Sequence, residues 1–212
     1  MAARVDLPAQ VALFPLAGVI LLPRTRLPLQ IFEPRYLQMI EDALATPQRL
    51  IGIIQAAQPG APRLMQIGCS GRIVSFTELE DRRLMISLRA QSRFRLVRVD
   101  HESKPYRVAQ VDWRGFEADL NPRPESVEGL DRAGLMDRLM RYAELRGLAS
   151  DWNAVRDTDE ETLVNSLSML LPFPPEEKQA LLESPTLADR RELLDGLLEF
   201  ALRGGDDEEM MQ

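Results

Sequence analysis

The stretch Pro28–Leu44, PLQIFEPRYLQMIEDAL, decides how the first half of this chain is read. Leu27, Leu29 and Ile31 alternate with Pro28 and Gln30, the period-2 mark of a half-buried strand. Proline holds φ at about −65° and lacks an N–H, so Pro34 suits the first position of a helix and biases Glu33 toward extended backbone. Glu33 is then placed to cap that helix. Tyr36, Leu37, Ile40, Ala43 and Leu44 recur at helical spacing and predict one buried face. The stretch is a strand-to-helix corner.

Around the corner the sequence is β-rich. Short apolar runs at 12–16, 19–22, 27–31 and 50–55 are followed by longer ones. The run 71–79, a polar turn EDRR at 80–83 and the run 84–88 predict a hairpin, and 92–100 and 106–113 predict two further strands. Six or more strands with one helix imply a closed or strongly coiled sheet, whose closure removes exposed edges. The segment 114–129, RGFEADLNPRPESVEG, has two prolines, two glycines and four acids without periodicity, and reads as a linker. Beyond it the pattern is helical. Leu135, Leu139 and Tyr142 share a spacing, TDEE at 158–161 has the form of a capping box, and Leu163, Leu167, Leu170 and Leu171 continue a stripe. Helices are expected to restart at Pro174–Pro175 and near Thr186, and to stop at Gly204–Gly205.

Composition narrows the classes. The net charge of −7 divides unevenly: residues 1–116 hold 16 Lys+Arg against 10 Asp+Glu, and residues 117–212 hold 10 against 23. Such a break suggests two units with different surfaces. The single cysteine, Cys69, forbids an internal disulfide and suits a reducing compartment. The apolar run 11–22 is too short to span a bilayer and contains Pro15 and Gly18, so a cytoplasmic location and no membrane contact are expected.

With the order of units in hand, the chain resembles the amino-terminal, substrate-binding domain of Lon protease, occurring alone. The motifs that carry the resemblance are LFPL at 13–16, VILLP at 19–23, LPLQIFEPRY at 27–36, GCSGRI at 68–73, RFRL at 93–96 and Pro105-Tyr106. LLPFP at 170–174 and EEKQALL at 176–182 extend it through the helical half. The resemblance implies an α+β fold, with a PUA-like β-barrel over 10–116, a linker at 117–129, a helical bundle over 130–204 and an acidic disordered tail at 205–212. It further implies a non-catalytic binder of unfolded or exposed polypeptide, acting as adaptor, holdase or regulator, with a protease or chaperone as a candidate partner. The sequence does not rank those roles or give an oligomeric state.

Catalytic signatures are weak. No G-x-x-x-x-G-K-[ST] loop occurs to cradle nucleotide phosphates. A Ser-Lys peptidase needs a lysine desolvated toward neutral pKa, and the two lysines, Lys104 between strands and Lys178 in the first turn of a helix, both read as exposed. His101 is the only histidine, and Pro105 occupies the position where H-E-x-x-H needs a second one, so no metal is expected. Cys69 and Ser70 lie in a Gly-x-x-Gly frame that suits a turn or bulge at a strand start. No cofactor is expected.

Two candidate surfaces remain. In the corner, Phe32 and Tyr36 are expected to fill the barrel end while Glu33 and Arg35 orient the helix. The same residues, with Met39, are the candidates for lining a groove that takes an extended peptide. The alternative is an RNA- or nucleotide-binding face on the arginine-rich strands, where Arg93 and Arg95 would project together with Phe94 turned away. Against it stand the acidic total and the lack of aromatic platforms among the arginines. An enzyme of unknown chemistry using an interdomain pocket comes third.

Overall fold

The computed structural model describes residues 7–56, 63–100, 104–126, 131–149 and 151–209. Within them six strands and six α-helices follow in order: β1 (Gln10–Pro15), β2 (Arg26–Ile31), α1 (Pro34–Leu44), β3 (Leu50–Ala56), β4 (Leu64–Glu78), β5 (Leu84–Asp100), β6 (Arg107–Asp112), α2 (Arg132–Leu145), α3 (Trp152–Asp157), α4 (Glu160–Leu170), α5 (Pro175–Glu183) and α6 (Leu187–Glu209). This is the expected α+β class, a mixed sheet followed by helices.

The strands form one sheet in the order β2-β5-β4-β3-β1-β6, and a further β5–β6 pairing closes it into a barrel with β2 as an added strand on β5. β1 and β3 are parallel, with β2 and α1 as the crossover between them; the other pairs are antiparallel. The predicted runs 84–88 and 92–100 are one continuous strand, β5. The run 19–22 forms no ladder: Ile20, Leu21 and Leu22 are buried as irregular backbone between a turn at Gly18 (φ 71°) and one at Arg24 (φ 62°).

The barrel interior centres on Phe94, packed with Val11, Leu13, Ile54, Ala109 and Val111 and edge-on to Trp113, 5.8 Å between ring centroids. Gly68 explains how that ring fits. A Cβ there would sit 2.6 Å from both the Ile53 carbonyl oxygen and the Phe94 ring. The Gly-x-x-Gly frame is therefore inside β4, where it makes room for packing, and the register irregularity expected nearby falls between Cys69 and Gly71.

By contacts the chain divides into two compact units, Met1–Pro124 with Met169–Glu183, and Glu125–Ser168 with Ser184–Gln212. The expected bundle over 130–204 thus loses α5 to the barrel unit. The reason is a buried polar hub: Gln55 donates to the Pro175 carbonyl (2.9 Å) and to Gln179 Oε1 (3.0 Å), and Gln179 donates to the Ile67 carbonyl (3.1 Å). The supposed linker is also partly ordered in this unit, as a 3-10 turn at Glu117–Leu120.

In the other unit, Asp131 accepts from the Gly134 N–H at the start of α2, Asp159 from Thr162 at the start of α4, and Thr186 and Asp189 cap α6 reciprocally. Leu135, Leu139, Tyr142, Leu163, Val164, Leu194 and Leu198 are buried there. Arg138 and Arg191 both pair with Asp195, at 2.9 and 3.0 Å. α6 runs past Gly204–Gly205 to Glu209, so much of the expected tail is helical, and 210–212 lie outside the described residues.

Candidate functional site

The corner forms as its local chemistry dictates. Glu33 is extended (φ −71°, ψ 130°), Pro34 opens α1, and the Glu33 carbonyl accepts from the N–H groups of Tyr36 and Leu37 at 2.9 and 3.0 Å. The Glu33 side chain does not cap the helix, contrary to expectation. Its carboxylate instead accepts from Arg35 Nη2 (2.7 Å) and Nε (2.9 Å), the shortest route for two neighbouring opposite charges. The Arg35 guanidinium lies 4.6 Å over the Tyr36 ring, which stacks at a tilt on Phe14 with centroids 4.3 Å apart. Burial raises the Tyr36 pKa, opposed by the Arg35 charge.

The five corner candidates part into two groups. Tyr36 and Met39 are buried, Met39 completely, so neither presents a binding surface; both lie on the face of α1 turned inward with Ile40 and Ala43. Phe32, expected to fill the barrel end, is 65 % exposed. The alternation of β2 explains it: Ile31 is buried, and the next position falls on the side of exposed Pro28 and Gln30. Gln30, two residues before Phe32, is the cross-strand partner of Met85, another exposed apolar side chain. At the far end of α1, Asp42 accepts from Lys104 and Tyr106, both at 2.5 Å, and from Gln38 at 2.9 Å. These hydrogen bonds lower its pKa to about 2. The corner presents an exposed aromatic at the start of a helix whose inner face is buried.

The alternative face is not a face. Arg93 is 4 % exposed; its Nε and Nη2 donate to Asp119 at 3.0 and 2.9 Å, its own backbone N–H donates to the same carboxylate at 2.8 Å, and Nη1 donates to the Leu182 carbonyl at 3.3 Å. The Phe116 ring lies 5.0 Å from the guanidinium. Arg95 is exposed. Asp119 was missed because it sits in the stretch read as linker. The faint signal was Phe116 three residues before an acid, which a 3-10 turn brings onto one side. The acidic partner of Arg93 comes from the barrel unit's own 3-10 turn.

A family model for the ATP-dependent protease La (LON) substrate-binding domain matches residues 10–199. The chain belongs to this family. Lon protease 2 of Myxococcus xanthus is 26 % identical over 200 residues, 91 % of this chain and 24 % of that protein. Lon protease of Anaeromyxobacter dehalogenans is 26 % identical over 201 residues, 91 % and 23 % of the respective lengths. The chain thus spans about a quarter of the curated relatives it matches. Two solved structures share the fold: the Lon N-terminal domain protein from Xanthomonas campestris (TM-score 0.60, 24 % identity, covering 88 % of this chain and 97 % of that one) and the N-terminal domain of Mycobacterium avium complex Lon protease (TM-score 0.65, 16 % identity, 90 % and 98 %).

In this LON substrate-binding domain the remaining sequence candidates have structural places. Lys178 is not exposed as expected: α5 lies on the barrel, so its ammonium is buried, donates to the Met169 carbonyl at 2.8 Å, and has its pKa lowered by desolvation. Lys104 lies at the surface on Asp42. Cys69 and Ser70 are buried, the Ser70 hydroxyl donating to the Ser92 carbonyl at 3.0 Å. His101 lies outside the described residues. Among the described residues no group of three or more His, Cys, Asp or Glu could hold a metal ion, and no helix is long and apolar enough to cross a membrane. An open hollow of about 660 Å³ is lined by Pro8, Ala9, Gln10, Val97, Gln110 and Val111, none of them titratable.

Proposed function

We propose that this LON substrate-binding domain binds polypeptide and catalyses nothing itself, capturing exposed apolar segments of other chains in the cytoplasm in the manner of an adaptor or chaperone. The observation that carries the reading is Phe32, an aromatic 65 % exposed on a corner where Tyr36 packs on Phe14 and Glu33 pairs with Arg35. An exposed aromatic ring offers a large apolar area with only two side-chain torsions to order on contact, which is what an anchor needs. Met85, the cross-strand partner of Gln30 two residues before it, supplies an unbranched, polarisable side chain that adapts to different partners. Membership of a family described as substrate-binding agrees with that use. The burial of Arg93 removes the nucleic-acid alternative's principal residue.

The test is retention of a chemically unfolded, fluorescently labelled protein by the purified chain, compared with Phe32→Ser. The wild type is expected to bind and the folded variant to bind at least severalfold more weakly. Absence of binding by the wild type, or binding indifferent to the substitution, would refute the proposal, as would unaided cleavage of the client.

A further inference from the structure

Strand register brings three arginines into line. Arg26 on β2 pairs with Arg89 on β5, and Arg89 pairs with Arg72 on β4. Cross-strand partners project from the same face, so the three arginine side chains leave one face of the sheet on adjacent strands. Like charges directly opposite one another destabilise a sheet, and nothing here relieves them. Arg26 and Arg89 are exposed and have no hydrogen bond or ion pair among the described residues; Arg72 donates only to the Gln48 carbonyl, at 3.0 Å. The other positions on this face are Pro28, Gln30, Ser75, Thr77, Met85 and Ser87, none acidic. Glu33 is engaged with Arg35.

The row lies four residues from Met85 along β5 and on the same face as Met85, and exposed Phe32 follows the outward positions Arg26, Pro28 and Gln30 of β2. Four residues of extended chain span about 14 Å, an even number, so a ligand strand running alongside presents both of its matching side chains to this face. We propose that the clients of this site are extended polypeptide segments bearing a bulky apolar residue and, four residues away, an acidic residue: the first meets Phe32 and Met85, the second the Arg26–Arg89–Arg72 row. This deepens the polypeptide-binding reading and rests on it. Side chains do the selecting, because Pro28 in the middle of β2 has no N–H to offer a pairing strand. A polypeptide is favoured over RNA because the arginines share their face with two apolar side chains and the chain's net charge of −7 opposes polyanions.

The experiment is fluorescence anisotropy of the full chain with three labelled probes: a ten-residue Phe-x-x-x-Asp peptide, the same peptide with Asn for Asp, and a poly-uridine strand. An unfolded protein serves as a fourth. Two exposed ion pairs are expected to make the acidic peptide bind about fivefold tighter than its Asn counterpart at low salt, a preference abolished by 0.5 M salt and by Arg26→Gln with Arg89→Gln. Both positions are exposed, so the variant keeps its fold, and relief of the repulsion should leave its melting temperature equal to or above the wild type's. If the unfolded protein binds but the two peptides bind equally, the acidic preference is wrong while the polypeptide reading stands. If poly-uridine binds more tightly than either peptide, the row is a phosphate site and the proposal falls. If no polypeptide binds at all, the underlying reading falls with it.

Discussion

Replacing Asp119 by alanine should unfold the barrel unit far more easily than its place in an apparent linker suggests. The carboxylate accepts three charge-assisted or backbone hydrogen bonds from one residue, at 2.8, 2.9 and 3.0 Å, with both side chains of the pair 4 % exposed. Truncation takes that carboxylate away from a guanidinium that stays buried beside the Leu182 carbonyl at 3.3 Å and the Phe116 ring at 5.0 Å. Removing one partner of a buried pair typically costs about 3–5 kcal/mol, a large part of the roughly 5–15 kcal/mol that holds a domain together. For a chain of this size that corresponds to a fall in melting temperature of about 6–20 °C. The readout is Trp113, which sits on Phe94 in the barrel; with Trp152 replaced by Phe, fluorescence in a urea titration reports that unit alone. The double variant Arg93→Met with Asp119→Leu should recover most of the loss, since apolar isosteres carry no desolvation cost. A loss below about 1 kcal/mol for Asp119→Ala, the scale of a surface pair, would show that the buried geometry is not what holds this turn.

Other outcomes follow from particular contacts. Asp42 has its carboxyl lowered from 3.8 to about 2 by Lys104, Tyr106 and Gln38, so its contribution is complete above about pH 4 and lost as pH falls toward 2; Asp42→Asn should flatten that part of the stability profile measured by acid titration. Gly68→Ala drives a methyl to 2.6 Å from a backbone oxygen that cannot retreat, and should cost about 3 kcal/mol or abolish soluble expression; an unchanged urea midpoint would contradict the packing described. Phe32→Ser should shift stability by no more than about 0.5 kcal/mol in the same titration, because the ring is largely in solvent already.

How much of this was legible depended on whether a residue's surroundings are local. Alternation at Leu27, Leu29 and Ile31 and the proline at 34 placed β2 and the start of α1 within a residue, because strand period and proline geometry need no distant partner. The same alternation held the correct position of Phe32, one step beyond Ile31 and so outward. The habit of assigning aromatics to the core hid it. Arg93 and Asp119 were illegible for the opposite reason: nothing near Arg93 in sequence shows that a 3-10 turn 26 residues on covers it. The membership of α5 was likewise set by Gln55, 124 residues from its partner Gln179. Glutamine in an apolar strand was a hint that a polar partner had to exist, without saying where. The Arg26–Arg89–Arg72 row required register across three strands, which periodicity alone cannot supply.

Hydrogen–deuterium exchange of the full chain with and without an excess of chemically unfolded protein tests most directly whether the corner is where a client is held. Residues 26–33 and 84–89 should exchange more slowly when the client is present, with the slowing lost in Phe32→Ser. Unchanged exchange in both segments while the client is demonstrably bound would contradict the account.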